Sequence, residues 1–426
     1  MKRPFSFQLC NRRLSYLRTS RPFISCRHPS TLGIKSDFTS FFFHNEQWTT
    51  TPNHQPNFLD GPSFRRSTCA GPVENLRNTG KSFDRYQATE VLTPRRLLRL
   101  YAQLSKSRLT VLIVLTAMSG VALSPLPTTV PILLSTAVGT ALCSASANTF
   151  NQLQEVPYDA QMTRTRMRPL VRRAISPMHA AGFAVVTGVA GPAILWTMVN
   201  PTTAILGAAN IALYAGLYTW LKRKHVVNTW VGAVVGGLPP LMGWTACGGQ
   251  LFPSSGHSWK ILLPQFLSSV PTVPFELSSI DNPLAPLALF MLSFSWQFPH
   301  FNSLSHLVRG SYAQAGYRML SVLSPSHNAL VAIRHAVFLV PICSILFPLS
   351  GLTTWTFALT SLVPNAICTR AAWRFWRGRG EKEARVMWQH YLWYLPVVMA
   401  LMMVHKQSMD WAKWAGLKSE DEAKDS

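Results

Sequence analysis

Long apolar runs separated by short basic clusters dominate this chain from about residue 109 onward. A helix rises ~1.5 Å per residue, so about 20 apolar residues cross the ~30 Å hydrocarbon layer of a bilayer. Nine runs have roughly that length: 109–124, 130–150, 177–197, 202–221, 229–247, 284–301, 330–349, 352–370 and 387–404. The pattern predicts an all-α, polytopic membrane protein with about nine transmembrane helices. Several runs contain internal proline (Pro192, Pro239, Pro240, Pro341). Such breaks are tolerated where neighbouring helices or a cavity satisfy the freed backbone groups, which fits helices gathered around a central apolar cavity. Ahead of the first run, Leu97, Leu98, Leu100, Tyr101 and Leu104 share one helical face and Arg95, Arg96 and Arg99 lie elsewhere. That arrangement predicts a short helix on the membrane surface.

The basic residues fix the topology. They collect before the first run (Arg95 to Arg108) and after the second (Arg164 to Arg173). Further clusters follow the fourth (Lys222, Arg223, Lys224), the sixth (Arg309, Arg318, Arg334) and the eighth (Arg374 to Arg385). The intervening loops are almost free of them, apart from Lys260. Under the positive-inside rule, the N-terminus and all the basic loops share one side. Residues 1–36 carry Lys2, Arg3, Arg12, Arg13, Arg18, Arg21, Arg27 and Lys35, interspersed with serine and with no acid before Asp37. That is the composition of a mitochondrial transit peptide, the other reading being a disordered basic tail. Targeting makes the basic side the matrix and the membrane the mitochondrial inner membrane. The expected organisation is a transit peptide over 1–36, a disordered stretch over 37–93, the membrane domain over 94–405 and a polar tail over 406–426.

Composition narrows the classes. The 426 residues carry a formal net charge of +23, yet only 13% are charged and 48% are hydrophobic. That charged share is roughly half of what soluble domains show. The basic clusters interrupt membrane-length segments and form no continuous face, so nucleic acid is excluded as the partner and the lipid bilayer takes its place. The cysteines are scattered without a Cys-x-x-Cys pair and form no disulfide or zinc framework.

Acidic residues are scarce enough to be informative. Between Arg108 and Arg379 they are Glu155, Asp159, Glu276 and Asp281 alone, and the first two adjoin Arg164, Arg166, Arg168, Arg172 and Arg173. If the second run stays helical, Asn151, Glu155 and Asp159 project from one face, each step of four residues turning only ~40°. Pro157 is expected to kink its end. Three oxygen donors on one face suit Mg²⁺, which takes one or two carboxylates plus phosphate oxygens. Arg164 and Arg168, again four apart, would grip the same phosphates, and Lys222 and Arg223 would complete the clamp. A diphosphate bound at the foot of an apolar bundle points to a prenyl diphosphate.

The text Asn151-x3-Glu155-x3-Asp159, then Arg164-Thr165-x2-Arg168-Pro169-Leu170, resembles the first signature of the UbiA-type intramembrane prenyltransferases, whose members usually have Asp where Glu155 stands. Three longer stretches resemble the heme-farnesylating branch of that family. They are Asn148-x-Phe-Asn-Gln with Glu-Val-Pro-Tyr-Asp159, Asn228-Thr-Trp-Val-Gly through Met242-Gly-Trp244, and Trp296-Gln-Phe-Pro-His300-Phe. The resemblance spans roughly 95–405. It implies a UbiA-type bundle that transfers the farnesyl group of farnesyl diphosphate to a vinyl group of heme B, with hydroxyl addition. The products are heme O and diphosphate, on the way to heme A for cytochrome c oxidase. It makes Asn148, Asn151, Glu155, Asp159 and His300 the catalytic candidates, and Asn151, Glu155 and Asp159 the Mg²⁺ ligands. Arg164, Arg168, Lys222 and Arg223 are the diphosphate contacts, and Trp296, Arg309 and Tyr312 the heme-side candidates. Heme A synthase or a second copy of the chain are the candidate partner proteins. The family's second acidic motif carries Asp just before Tyr312, where this chain has Ser311. A prenyltransferase acting on a quinone precursor, or a non-catalytic carrier or assembly factor of the same fold, are the competing readings. Glu276 and Asp281 have no role in any of them.

Overall fold

The computed structural model describes residues 93–252 and 282–407, and among these every regular element is a helix. The expected transit peptide, most of the 37–93 stretch, Glu276, Asp281 and most of the polar tail lie outside the described residues. Helix α1 (Pro94–Leu104) begins at a proline, which has no N–H to leave unpaired, and Thr93 Oγ1 accepts from the Arg96 N–H as its N-cap. The chain turns through Lys106, which adopts a left-handed φ of 49°, into α2 (Ser107–Leu123), bent 58° from α1. There follow α3 (Val130–Asp159), α4 (Pro177–Met198), α5 (Pro201–Leu221) and α6 (Asn228–Ala246). Beyond them come α7 (Leu284–Leu307), the short α8 (Arg309–Gln314) and α9 (Leu320–Leu323), and α10 (Pro325–Leu349). Three more, α11 (Thr356–Thr360), α12 (Leu362–Gly378) and α13 (Glu381–Val404), complete the described chain.

Each of the nine apolar runs falls on these helices, the run 352–370 being divided between α11 and α12. Four of the described helices, α3, α4, α5 and α10, are long and apolar enough to cross a membrane, or five if α1 and α2 form one bent span. The count of nine crossings is therefore not established. Among the remaining helices, α2 and α12 have only 17 residues each, short of a full crossing.

Packing follows membrane rules. Large apolar side chains such as Leu112, Val186, Ile205 and Val363 stay more than half exposed. Lipid tails solvate them as well as a protein core would, so close approach of backbones holds the bundle together. A Cβ on Gly243 would overlap the Ala117 carbonyl oxygen, and one on Gly120 the Pro240 carbonyl oxygen, so α2 and α6 touch backbone to backbone. The second half, α7 with α10, α12 and α13, shares a core that includes Leu292, Ala332, Phe347, Phe375, Tyr391 and Tyr394. Two helices are locally widened to π geometry, α5 over Ala212–Tyr218 and α10 over Ile342–Leu346. Such bulges re-aim side chains and recur at functional sites.

Candidate active site

The site is built on α3. Thr136, Thr140, Ser144, Asn148, Asn151, Gln152, Glu155 and Asp159 are all buried. Most of them recur every three or four residues, which lays a polar stripe along this 30-residue helix. The helix runs on past Pro157 and ends at Asp159. Glu155 and Asp159 are only 3% and 2% exposed, so both carboxylates require partners.

Those partners come from three directions. The elbow between α1 and α2 is stitched to the stripe: the Gln152 amide donates to the Leu104 carbonyl (2.8 Å) and the Asn148 amide to that of Ser105 (3.2 Å). The Thr110 and Ser144 hydroxyls meet at 2.9 Å. This fixes the Lys106 ammonium 3.2 Å from Asn151 Oδ1 and 3.3 Å from the Tyr214 hydroxyl. From the end of α5, Lys222 Nζ reaches Glu155 Oε1 at 2.7 Å and lies 4.7 Å over the Tyr218 ring. Burial by itself lowers the Lys222 pKa, but the attraction of Glu155, then of the Tyr218 and Tyr214 hydroxyls, outweighs it and holds the value well above that of an ordinary lysine. Arg168, on the loop after α3, pairs with Asp159 and stands 3.8 Å from Glu155. The Arg318 N–H donates to the Lys222 carbonyl (2.9 Å), tying the segment after α8 to the one after α5.

The structure redistributes the sequence-derived candidates. Glu155, Asp159, Asn151, Arg168 and Lys222 come together. Arg164 does not share a helical face with Arg168. Beyond Asp159 the chain runs through successive turns that bury Met162, Thr165 and Leu170 and leave Arg164 exposed, outside the ion-pair cluster. Arg223 sits on the rim, 5.3 Å from the Tyr158 ring. Arg309 is drawn away from this cluster, because its guanidinium meets His306 Nε2 at 3.1 Å and Glu381 of α13 at 3.9 Å. Tyr312 packs against Met162 and Tyr317, with Tyr158 beside them, so the segment bearing Ser311 does adjoin the site. Lys106, Tyr214 and Tyr218 were not among the candidates. Lys106 reads in the sequence as one more topology charge, and only the elbow turns it inward.

For Mg²⁺, no group of three or more His, Cys, Asp or Glu side chains is assembled among the described residues. Glu155 and Asp159, one turn apart, still fit an ion that takes one or two carboxylates plus phosphate oxygens. Asn151 departs from the expected three-ligand set, since Lys106 donates to its Oδ1 and its amide donates to Thr219 Oγ1 at 3.0 Å.

Beside this charged cluster lies a cavity of about 540 Å³ lined by α2, α3, α5, α6, α7 and α13. Its volume falls within the range of ligand pockets. Leu109, Leu112, Ile113, Leu395 and Met399 give it apolar walls, while Asn148, Tyr214 and Tyr218 join it to the cluster. Trp296 and His300 also face it, with rings stacked at 4.8 Å. The Trp296 indole N–H donates to the Tyr391 carbonyl at 3.0 Å. His300 Nδ1 is buried and has no hydrogen-bond partner within the protein.

A charged cluster of carboxylates and cations beside an apolar cavity in a helical membrane bundle is the arrangement of an intramembrane prenyltransferase. The sequence pattern of the UbiA prenyltransferase family matches residues 113–395, and the chain belongs to that family. Its similarity is to mitochondrial protoheme IX farnesyltransferases: 43% identity over 350 residues with that of Gibberella zeae, 44% over 335 with Neurospora crassa and 44% over 338 with Yarrowia lipolytica. The matches cover 79%, 75% and 76% of this chain but 66%, 63% and 65% of those relatives, just under two thirds of their length. Among solved structures, a digeranylgeranylglyceryl phosphate synthase superposes with a TM-score of 0.56 at 15% identity, covering 73% of this chain and 99% of that one. A UbiA homolog from Aeropyrum pernix gives 0.51 at 17% identity, covering 70% and 97%. At these identities the structural likeness speaks for the fold alone.

Proposed function

We propose that this chain is a heme O synthase, transferring the farnesyl group of farnesyl diphosphate to a vinyl group of heme B in a mitochondrial inner membrane. The observation that carries the reading is the meeting of Glu155 and Asp159 with Arg168 and Lys222, and of Asn151 with Lys106, beside the apolar cavity. The similarity to enzymes named for heme farnesylation supports the choice of acceptor over a quinone precursor.

In this reading the cations receive the diphosphate and the cavity houses the farnesyl chain. The C1–O bond of farnesyl diphosphate breaks and its electron pair leaves with the diphosphate, whose growing charge Lys106, Arg168 and Lys222 stabilise. The vinyl carbon bonds to the allylic cation. Water captures the resulting heme-side cation and loses a proton, leaving the hydroxyl. The low-dielectric walls keep other nucleophiles from the cation before capture. Glu155 and Asp159 would hold Mg²⁺, which supplies charge neutralisation on the leaving group. Trp296 and His300 stand on the acceptor side of the cavity. The basic loops, and with them the N-terminus, face the matrix.

The test is heme extraction and chromatography from cells lacking their own heme O synthase, with and without the chain. Heme O produced by the intact chain and lost with Asp159→Ala or Arg168→Ala is the expected result. No heme O despite good membrane expression would refute the proposal.

A further inference from the structure

The cavity wall is open between α2 and α13. Leu112 and Leu115 on α2 and Leu392 on α13 all line the cavity, yet are 58%, 57% and 47% exposed. At the other end of this slot the helices are pinned together, where Lys406 Nζ donates to the Ser124 carbonyl at 2.9 Å. Ser124 follows α2 and Lys406 follows α13, so the two helices run the same way and their N-terminal ends lie at the unpinned end. Each carries an exposed arginine there. Arg108, Leu112 and Leu115 are spaced i, i+4, i+7, which puts the arginine on the lining face of α2. Arg385 stands seven residues before Leu392, again on the lining face. Each arginine is thus ~10 Å along its helix from an exposed cavity leucine. Among the described residues no carboxylate pairs with either one.

We propose that Arg108 and Arg385 grip the two propionate carboxylates of the porphyrin acceptor as it enters edge-on between α2 and α13. The inference rests on the heme-acceptor reading above and adds how that acceptor is recognised. A protoporphyrin is a flat apolar plate with its two carboxylates at one edge and its vinyl groups away from that edge. Two guanidinium forks on either side of a slot match the acidic edge, since arginine binds a carboxylate through two parallel hydrogen bonds. Holding that edge at the basic end directs the vinyl side inward, toward Trp296, His300 and the farnesyl chain. The pinned end stops the plate from sliding through.

The test is a Soret-band titration of the purified full chain with hemin and with hemin dimethyl ester, which lacks the two negative charges. The wild-type chain is expected to bind hemin at least tenfold more tightly than the ester. Arg108→Gln and Arg385→Gln should each weaken hemin severalfold while leaving the ester unchanged, and the double variant should bind both equally. Equal wild-type affinity for hemin and ester would overturn the inference without any variant, as would variants that weaken both ligands alike. Binding needs no turnover, so the two readings separate. A chain that selects hemin through these arginines but yields no heme O refutes the reaction alone. Heme O formation with arginine-indifferent binding refutes only the clamp.

Discussion

Removing the Lys222 charge should expose how strongly the site depends on pairing inside the bundle. Lys222 Nζ lies 2.7 Å from Glu155 Oε1, with the two side chains 12% and 4% exposed. At that distance and an effective dielectric of about 20, the attraction is about 6 kcal/mol before desolvation is subtracted. Breaking a buried pair by deleting one partner typically costs about 3–5 kcal/mol, because the other charge is left uncompensated. Arg168, 3.8 Å from Glu155, offers partial relief, so Lys222→Met is expected to cost about 3 kcal/mol. Glu155→Gln should cost a similar amount by stranding Lys222. The double variant removes both charges and should lose far less than the sum, with a coupling of about 2–3 kcal/mol. Thermal unfolding of the detergent-purified proteins reads this as a Tm several degrees higher in the double variant than additivity allows. Strictly additive losses would show that the two side chains do not stabilise each other, and the pairing account of the site would fail.

Further expectations follow from single contacts. Lys106→Met removes the ammonium held by Asn151 and Tyr214, and should raise the KM for farnesyl diphosphate about 10- to 100-fold, the worth of a charge-assisted hydrogen bond. An unchanged KM would place Lys106 outside the diphosphate site. Gly243→Ala drives a methyl group into the Ala117 carbonyl oxygen and should lower stability by at least about 1–3 kcal/mol, seen as a reduced Tm; an unchanged Tm would mean that α2 and α6 are not in backbone contact. His300→Phe keeps the stacking on Trp296 but removes the unpartnered ring nitrogen, so heme O formation should fall at least tenfold while Tm holds. Full activity in that variant would reduce His300 to packing.

Much of the molecule is decided by the order of residues alone. The lengths of the apolar runs dictate helices, because a bilayer offers the backbone no other donor or acceptor. The scarcity of acids singles out Glu155 and Asp159, and their spacing of four on a helix already places both on one face. The motifs around them were enough to reveal the family. Other features depend on distances between elements far apart in sequence. Lys106 and Arg108 look alike as text, two basic residues before an apolar run. A left-handed turn at Lys106, held by Gln152 and Asn148, sends one inward to Asn151 and leaves the other outside. Arg164 and Arg168 look equivalent until the turns after Asp159 bury Met162 and Thr165, which leaves only Arg168 pointing back at the carboxylates. Arg309 is claimed by Glu381, more than seventy residues later. Local periodicity decides which face a side chain takes, and so the helices and the acidic pair were legible. Which cation meets which carboxylate depends on how separate helices pack, and no pattern along the chain encodes that until the bundle closes.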